Sequence, residues 1–226
     1  MSSSSAPPHW AVSPPAPEPA GLRSAAPSRL LGEAESGFEP APLSPLAEGG
    51  PDRFRRGSII HKLLQTLPDL PEARRQASAE RYVAAQGDLS DAQRNEIVEE
   101  TLGVLSDPAF AALFGPGSRA EVSVSGRAPG LPEGMVVNGQ IDRLVITDQE
   151  IVIIDYKTNR PPPQKAEEVS PVYLAQMAAY RALLQAIHPG KPVRCALLWT
   201  DAPRLMELPE ASLDAVLAKA RATGPA

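Results

Sequence analysis

Cysteine is nearly absent from this chain of 226 residues, which has only Cys195. One cysteine excludes an intramolecular disulfide framework, a zinc ribbon and an iron–sulfur cluster bound by cysteines of this chain. Long apolar runs are also missing, because no stretch approaches the roughly 18 consecutive apolar residues of a membrane span. Residues 1–6 lack the basic and apolar regions of a secretory signal. We therefore expect no membrane partner and a cytoplasmic location.

Aromatic residues are scarce, at 4% of the chain, whereas the 42% hydrophobic and 22% charged fractions are ordinary for a globular protein. The net charge of -5 argues mildly against a free-standing nucleic-acid binder, because such proteins are usually basic. Net charge does not decide the charge of one local cleft, so a nucleic-acid site remains compatible with this composition.

Proline is in excess, with 26 residues, and eleven of them lie at or before Pro51. A segment so rich in proline does not sustain a helix or a β-ladder. We therefore predict a disordered Pro/Ala/Ser-rich linker over residues 1–52 and a folded domain over 53–226. Within the linker, the short apolar run at 28–31 is the segment expected to contact a partner or an upstream domain.

The periodicity of the remaining sequence predicts an α/β (α+β) fold in which helices flank a small mixed sheet. Apolar spacings of three and four predict a helix from Arg56 to Pro68, and capping-box spacing at Ser90 and Gln93 opens another. The predicted order is helices, three strands, a helix, a strand and a helix. The strands are expected near 121–125, 136–146, 151–156 and 193–200, and the later helices near 171–187 and 210–222.

Two acidic residues, Asp142 and Asp155, lie in Val/Ile-rich strands that are predicted to form a hairpin. Side chains alternate along a strand, so Asp155 and Lys157 share one face and Tyr156 takes the other. Two neighbouring carboxylates are costly unless a cation lies between them, and such sites suit Mg²⁺ or Mn²⁺. With Lys157 nearby, the set fits phosphodiester hydrolysis. Ion pairs at an edge strand explain the same residues, because D-x-K is common.

The order of several motifs resembles the PD-(D/E)XK nuclease superfamily, and more narrowly its RecB-like branch. The pattern R-G-x-x-x-H-x-x-L-Q occupies residues 56–65, Glu121 opens the first strand, and Q-x-x-x-Y spans residues 176–180. Together with Asp142 and the D-Y-K of residues 155–157, these pieces cover roughly residues 56–200. Their joint occurrence in order is far more specific than any one of them.

The resemblance implies a restriction-endonuclease-like core with an N-terminal helical part, and a metal-dependent deoxyribonuclease activity. It implies that Mg²⁺, or Mn²⁺, is bound by His61, Asp142, Asp155 and the backbone carbonyl of Tyr156, with Lys157 as the catalytic lysine. Gln176 and Tyr180, four residues apart on one helix face, are implied to lie near the active site and to orient DNA or the lysine. Without the resemblance, His61, Gln176 and Tyr180 would be interpreted as packed or solvated side chains of helices.

Within the branch, the sequence most resembles the C-terminal nuclease domain of AddA-type helicase–nucleases. The single cysteine supports this resemblance, because related proteins usually carry a four-cysteine iron–sulfur cluster that one cysteine cannot form. This similarity implies single-stranded DNA ends or unwound duplex as substrate, and a helicase portion and an AddB-like subunit as partners. It also implies a role in double-strand break repair in the bacterial cytoplasm, in association with the nucleoid. The chain has no G-x-x-x-x-G-K-[ST] motif, so the ATPase is not in this sequence. It is therefore expected to be a fragment or a stand-alone module. The alternatives are a catalytically silent nuclease-fold module and an unrelated α/β scaffold.

Overall fold

The structure is a computed structural model that describes residues 23–31 and 50–223. Three helices form its first layer: α1 (Gly50–Thr66), α2 (Glu72–Ala84) and α3 (Asp91–Ser106). The Ser90 hydroxyl accepts the backbone N–H of Gln93, and the Gln93 side chain accepts the N–H of Ser90, so the predicted capping box is present. Short 3₁₀ turns at Leu67–Asp69 and Pro108–Phe114 follow α1 and α3 at the prolines that stop them.

In the described residues, a six-stranded mixed sheet lies beside this layer. Its strands are β1 (Arg23–Ala25), β2 (Ser118–Gly126), β3 (Met135–Ile146), β4 (Ile151–Lys157), β5 (Val193–Trp199) and β6 (Arg204–Glu207). Antiparallel β2 pairs along one edge of β3, and antiparallel β4 pairs with residues 143–146 of β3. Parallel β1 pairs with residues 135–137 of β3, β5 runs parallel to β4, and β6 is antiparallel to β5.

Two further helices, α4 (Pro171–Ile187) and α5 (Glu210–Thr223), belong to the layer on the opposite face of the sheet. The alternation of side chains along β4 divides the core between the two layers: Ile153 packs with α4 and α5, whereas Ile154 and Tyr156 pack with α1 and α3. The predicted α/β class with helices flanking a mixed sheet is therefore confirmed. Strand β6 was not predicted, because four residues carry too little periodicity.

Residues 23–31 pack onto the domain as β1 and a 3₁₀ turn at Pro27–Arg29. Leu30 and Leu31 are buried in the core shared with α4, so the prediction of a disordered linker does not hold for this stretch. Burial of these two side chains offsets the entropy of ordering a short segment. Residues 1–22 and 32–49 lie outside the described part of the chain, and the domain boundary near 52 stays a prediction. In the described residues, no helix has the length and apolar character needed to cross a bilayer.

Candidate active site

The site lies where β3 and β4 separate. Their pairing runs from Ile146↔Ile151 to Arg143↔Ile154, and beyond it Asp155, Tyr156 and Lys157 continue in register with β5. At the point of separation, Oδ2 of Asp142 accepts the backbone N–H of Tyr156 at 2.8 Å. The carboxylate thus replaces the next bond of the β-ladder and holds Asp142 in the cleft between the two strands.

Helix α1 brings His61 to this carboxylate, because Ile60 and Leu64 are fully buried and fix the orientation of the helix. Nδ1 of His61 lies 3.5 Å from Oδ2 of Asp142, and its ring meets the ring of Tyr156 edge-on at 5.5 Å between centroids. Burial lowers the pKa of His61, but the hydrogen bond and charge of Asp142 outweigh it and leave the pKa raised. Burial raises the pKa of Asp142, but His61 and the Tyr156 N–H outweigh it and leave it lowered.

Asp155 and Lys157 share one face of β4, as the strand period predicts. Nζ of Lys157 lies 2.6 Å from Oδ2 of Asp155, and Nε2 of Gln176 donates to Oδ1 of Asp155 at 3.0 Å. Burial raises the pKa of Asp155; Lys157 opposes this shift and the nearby charge of Asp142 adds to it. Burial lowers the pKa of Lys157, yet the charge of Asp155 keeps it raised, so the lysine remains an ammonium ion.

Tyr180 of α4 contacts the unpaired edge of β3. One edge of β3 pairs with β2 along its length. On the other edge, β1 pairs with residues 135–137 and β4 with residues 143–146, so among the described strands none pairs with residues 138–142 on that edge. The Tyr180 hydroxyl donates to the carbonyl of Gln140 at 2.7 Å and accepts its N–H at 3.1 Å. A Cβ on Gly139 would lie 2.7 Å from this hydroxyl, so only glycine permits the approach. Gln176 therefore contacts Asp155, and Tyr180 contacts the backbone of Gln140. Their predicted role in orienting DNA or the lysine stays a prediction.

Glu121 adds a third acidic residue at the edge of the site. It lies in β2 between two residues that pair with Arg143 and Ile141, and therefore opposite Asp142. Its φ of 54° is in the left-handed region, which a residue with a side chain rarely adopts in a strand. Burial, and then the charge of Asp142, raises the pKa of Glu121. From the sequence, Glu121 could have a structural role through hydrogen bonds or an indirect role at a distance from the metal. Its left-handed backbone conformation is strained, which is more common at functional sites than elsewhere.

The donor chemistry of the site fits a hard divalent cation. Two buried carboxylates, Asp142 and Asp155, and the imidazole of His61 supply the oxygen and nitrogen atoms that Mg²⁺ and Mn²⁺ accept. Burial, and to a smaller extent the charge of Asp142, raises the pKa of Asp155, and a cation between the two carboxylates would offset both effects. In this structure the donors contact other protein groups, and no three His, Cys, Asp or Glu side chains of the described residues converge as a preformed metal cluster.

A cavity of about 280 Å³ lies beside the site, between α1, α3 and the segment after β4. Two of its lining residues, Arg56 and Arg160, both contact the Glu100 carboxylate, which is 5% exposed. The Thr200 hydroxyl after β5 donates to the same carboxylate. At Gly57, helix α1 lies close to the segment that follows β4. A Cβ added at Gly57 would be only 3.0 Å from the hydroxyl oxygen of Thr158. The R-G of the upstream motif therefore joins the helical layer to the strand ends that carry the site.

A family model of the PD-(D/E)XK nuclease superfamily matches residues 36–222. The chain belongs to this superfamily. Members of the superfamily are generally nucleases that use Mg²⁺ or a similar divalent metal ion and bind DNA. The predicted superfamily is therefore confirmed, and with it a nuclease function at this coarse level.

The other comparisons add little. The search of curated proteins found no match. Among solved structures, the protein SSO0001 is similar at 15% identity over 77% of this chain and 87% of its own, with a TM-score of 0.33.

One residue of the site was missed by sequence reasoning. Tyr173 lies one helical turn before Gln176 and packs its ring against the Lys157 ammonium, at 3.8 Å from the ring centroid. Tyr173, Gln176 and Tyr180 follow one another at spacings of three and four, which places them on one face of α4. That spacing is the signal in the sequence that could have identified Tyr173 with the other two.

Proposed function

We propose that this chain is a metal-dependent deoxyribonuclease of the RecB-like branch, similar to the nuclease domain of AddA-type helicase–nucleases. One observation carries the proposal: Asp142 and Asp155 lie on separating strands, and the Lys157 ammonium forms an ion pair with Asp155 at 2.6 Å. The arrangement joins an oxygen-rich cation site to a fixed positive charge, as phosphodiester hydrolysis requires.

The residues would act as follows. His61, Asp142, Asp155 and the carbonyl of Tyr156 would hold Mg²⁺, which when bound polarises the phosphate and lowers the pKa of a water molecule. Lys157 stabilises the charge that develops on the phosphate or positions the attacking water. Gln176 fixes the Asp155 carboxylate through its 3.0 Å hydrogen bond, and Asp142 fixes the imidazole of His61. The protein groups are thus restrained before the substrate arrives.

The narrower assignment to the branch rests on the sequence motifs together with their placement. Residues 56–61 of the R-G-x-x-x-H motif bring Arg56 to Glu100 and His61 to Asp142, so the motif works as one helical unit against the cleft. The single cysteine agrees with a nuclease domain without an iron–sulfur cluster. The proposal includes a helicase portion that supplies single strands, an AddB-like partner subunit, and a role in double-strand break repair and recombination in the bacterial cytoplasm.

The test is a cleavage assay with end-labelled linear single-stranded and double-stranded DNA, in Mg²⁺ or in EDTA. The wild-type chain is compared with Lys157→Ala and with Lys165→Ala, a matched variant at an exposed lysine in the next loop. We expect cleavage that requires Mg²⁺, persists in Lys165→Ala and falls by at least about a hundredfold in Lys157→Ala. Cleavage in EDTA, or full activity of Lys157→Ala, contradicts the mechanism. DNA binding without cleavage by the wild-type chain in Mg²⁺ would instead indicate a silent nuclease-fold module.

A further inference from the structure

The Lys157 ammonium is held from two sides. On one side, Oδ2 of Asp155 lies 2.6 Å from Nζ. On the other, the face of the Tyr173 ring lies 3.8 Å from Nζ, measured to the ring centroid. The lysine side chain is only 11% exposed, so water screens neither contact strongly. A carboxylate and an aromatic face together define the position of this positive charge.

The ring of Tyr173 is itself held in place. The residue is 4% exposed, and its hydroxyl donates to Oδ1 of Asn159 at 3.2 Å. The ring of Trp199 packs against it with 6.5 Å between centroids and an interplanar angle of 58°. Asn159 follows Lys157 by two residues, and Trp199 lies opposite Lys157 in the β4–β5 register. The strand ends that carry Lys157 therefore also fix the ring below it.

One face of α4 reaches three parts of the site in succession. Tyr173 contacts Lys157, Gln176 donates to Asp155, and Tyr180 bonds to the backbone of Gln140 on β3. A rotation or shift of the helix would disturb all three contacts together. The Q-x-x-x-Y pattern is thus the second part of a longer pattern, Y-x-x-Q-x-x-x-Y, whose side chains contact both β4 and β3.

We propose that Tyr173 is a positioning residue for Lys157, and that its ring face holds the ammonium in register with Asp155 and the cleft. The proposal rests on the proposed function, because it assigns Lys157 to the reaction. An aromatic face attracts a cation through its quadrupole and has no lone pair directed at the ammonium. The N–H groups therefore stay available to Asp155 and to a phosphate, whereas an aliphatic side chain at this position would leave the lysine free to change rotamer.

The experiment distinguishes the effect of the Tyr173 ring on activity from the effect of its hydroxyl and from a general loss of packing. Tyr173→Phe keeps the ring and removes the bond to Asn159, and Tyr173→Leu and Tyr173→Met remove the ring. Leu184→Ala, a buried change on the same helix away from Lys157, is the control for loss of packing. Activity is measured on single-stranded DNA in Mg²⁺, below the unfolding transition of every variant, and kcat and KM are determined separately.

We expect Tyr173→Phe to stay within about twofold of wild-type kcat, and Tyr173→Leu and Tyr173→Met to lose about tenfold with KM unchanged. Leu184→Ala should lower Tm but not kcat. The proposal is overturned if the Leu and Met variants keep wild-type kcat, or if Leu184→Ala loses as much as they do. The Met variant fills the volume with a flexible side chain, so a failure of the Leu variant to fold leaves the test intact.

A second measurement does not depend on activity. The rate at which an amine-reactive reagent labels Lys157, followed by peptide mass spectrometry, should rise several-fold in Tyr173→Met and stay at the wild-type value in Tyr173→Phe. Equal labelling in both variants contradicts the proposal. If the wild-type chain shows no Mg²⁺-dependent cleavage, the proposed function fails, and the labelling still decides whether Tyr173 positions Lys157.

Discussion

The Asp142 carboxylate and the Tyr156 backbone N–H form a 2.8 Å hydrogen bond across the separation of β3 and β4. In the ladder that precedes it, this position would be taken by a backbone carbonyl. A side chain has therefore replaced a main-chain acceptor, which allows the strands to separate without a buried N–H left unpaired. The same carboxylate faces His61 and neighbours Asp155. The Asp142 side chain therefore both allows the strands to separate and contributes to the candidate metal site.

This bond predicts different stabilities for two substitutions at one position. Asp142→Asn keeps an oxygen that can accept the Tyr156 N–H and should stay within about 1 kcal/mol of the wild-type free energy of unfolding in EDTA. Asp142→Ala leaves the N–H without its acceptor and should lose about 1–3 kcal/mol. Urea unfolding in EDTA measures both. Equal stability of the Asn and Ala variants would show that the hydrogen bond does not support the fold.

A pair of Gly→Ala substitutions tests the approach of Tyr180 to β3. A Cβ at Gly139 would lie 2.7 Å from the Tyr180 hydroxyl and 2.7 Å from Cγ of Pro27, so Gly139→Ala should cost about 1–3 kcal/mol. Gly103 lies within α3 with nothing within 4 Å of an added Cβ. Gly103→Ala should therefore stabilise the protein by about 0.5–1 kcal/mol. In both thermal and urea unfolding, the midpoint should fall for Gly139→Ala and rise for Gly103→Ala. A Gly139→Ala variant as stable as the wild-type chain would contradict the close contact between Tyr180 and β3.

The residues on β4 were predictable because their arrangement is local. A strand with period two places Asp155 and Lys157 on one face, whatever its neighbours are. The contacts of Asp142 and Tyr180 were not predictable in the same way, since they depend on where β3 and β4 stop pairing. No local pattern marks that point. The motif spacing identified the residues, but their partners became visible only in the fold.

The N-terminal segment shows the same limit. Residues 23–31 lie in a proline-rich stretch, and composition alone predicts no regular structure there. They are ordered by distant groups: β1 pairs with β3, and Pro27 packs over Gly139, whose lack of a side chain leaves room. Such a contact between residues more than a hundred positions apart leaves no signal in either local sequence.

A Leu→Ala comparison tests whether this segment belongs to the folded domain. Leu30 is 3% exposed in the core shared with α4, and Leu30→Ala should lower the free energy of unfolding by about 2–4 kcal/mol. Leu205 on β6 is 37% exposed, and Leu205→Ala should cost less than about 1 kcal/mol. Urea unfolding measures both. Equal and small effects would show that the segment contributes little to the stability of the domain.

The Glu100 carboxylate should support the fold more strongly than an exposed acid of the same helix. It contacts Arg56, Arg160 and Thr200, so Glu100→Gln removes a negative charge from both guanidinium groups. Both arginines keep an ion pair with Glu96, and Arg160 also keeps Asp201. Because Arg160 is 41% exposed, water screens part of the cost. We expect a loss of about 1–2 kcal/mol.

The control is Glu99→Gln, at an exposed position of α3, which should change stability by less than about 0.5 kcal/mol. Both variants are measured by urea unfolding at pH 7 in moderate salt. A Glu100→Gln variant as stable as Glu99→Gln would mean that the buried contacts contribute nothing to the joint between the helical layer and the strand ends.

The most direct measurement is the initial rate of single-stranded DNA cleavage as a function of Mg²⁺ concentration, for the wild-type chain and for Asp142→Asn. With Asp142 as a metal ligand, the wild-type rate rises to saturation with Mg²⁺, and the variant stays at least about a hundredfold slower at every concentration although it is folded. Wild-type rates in the Asn variant, or a wild-type rate that does not depend on Mg²⁺, would contradict a metal-dependent nuclease centred on Asp142 and Asp155.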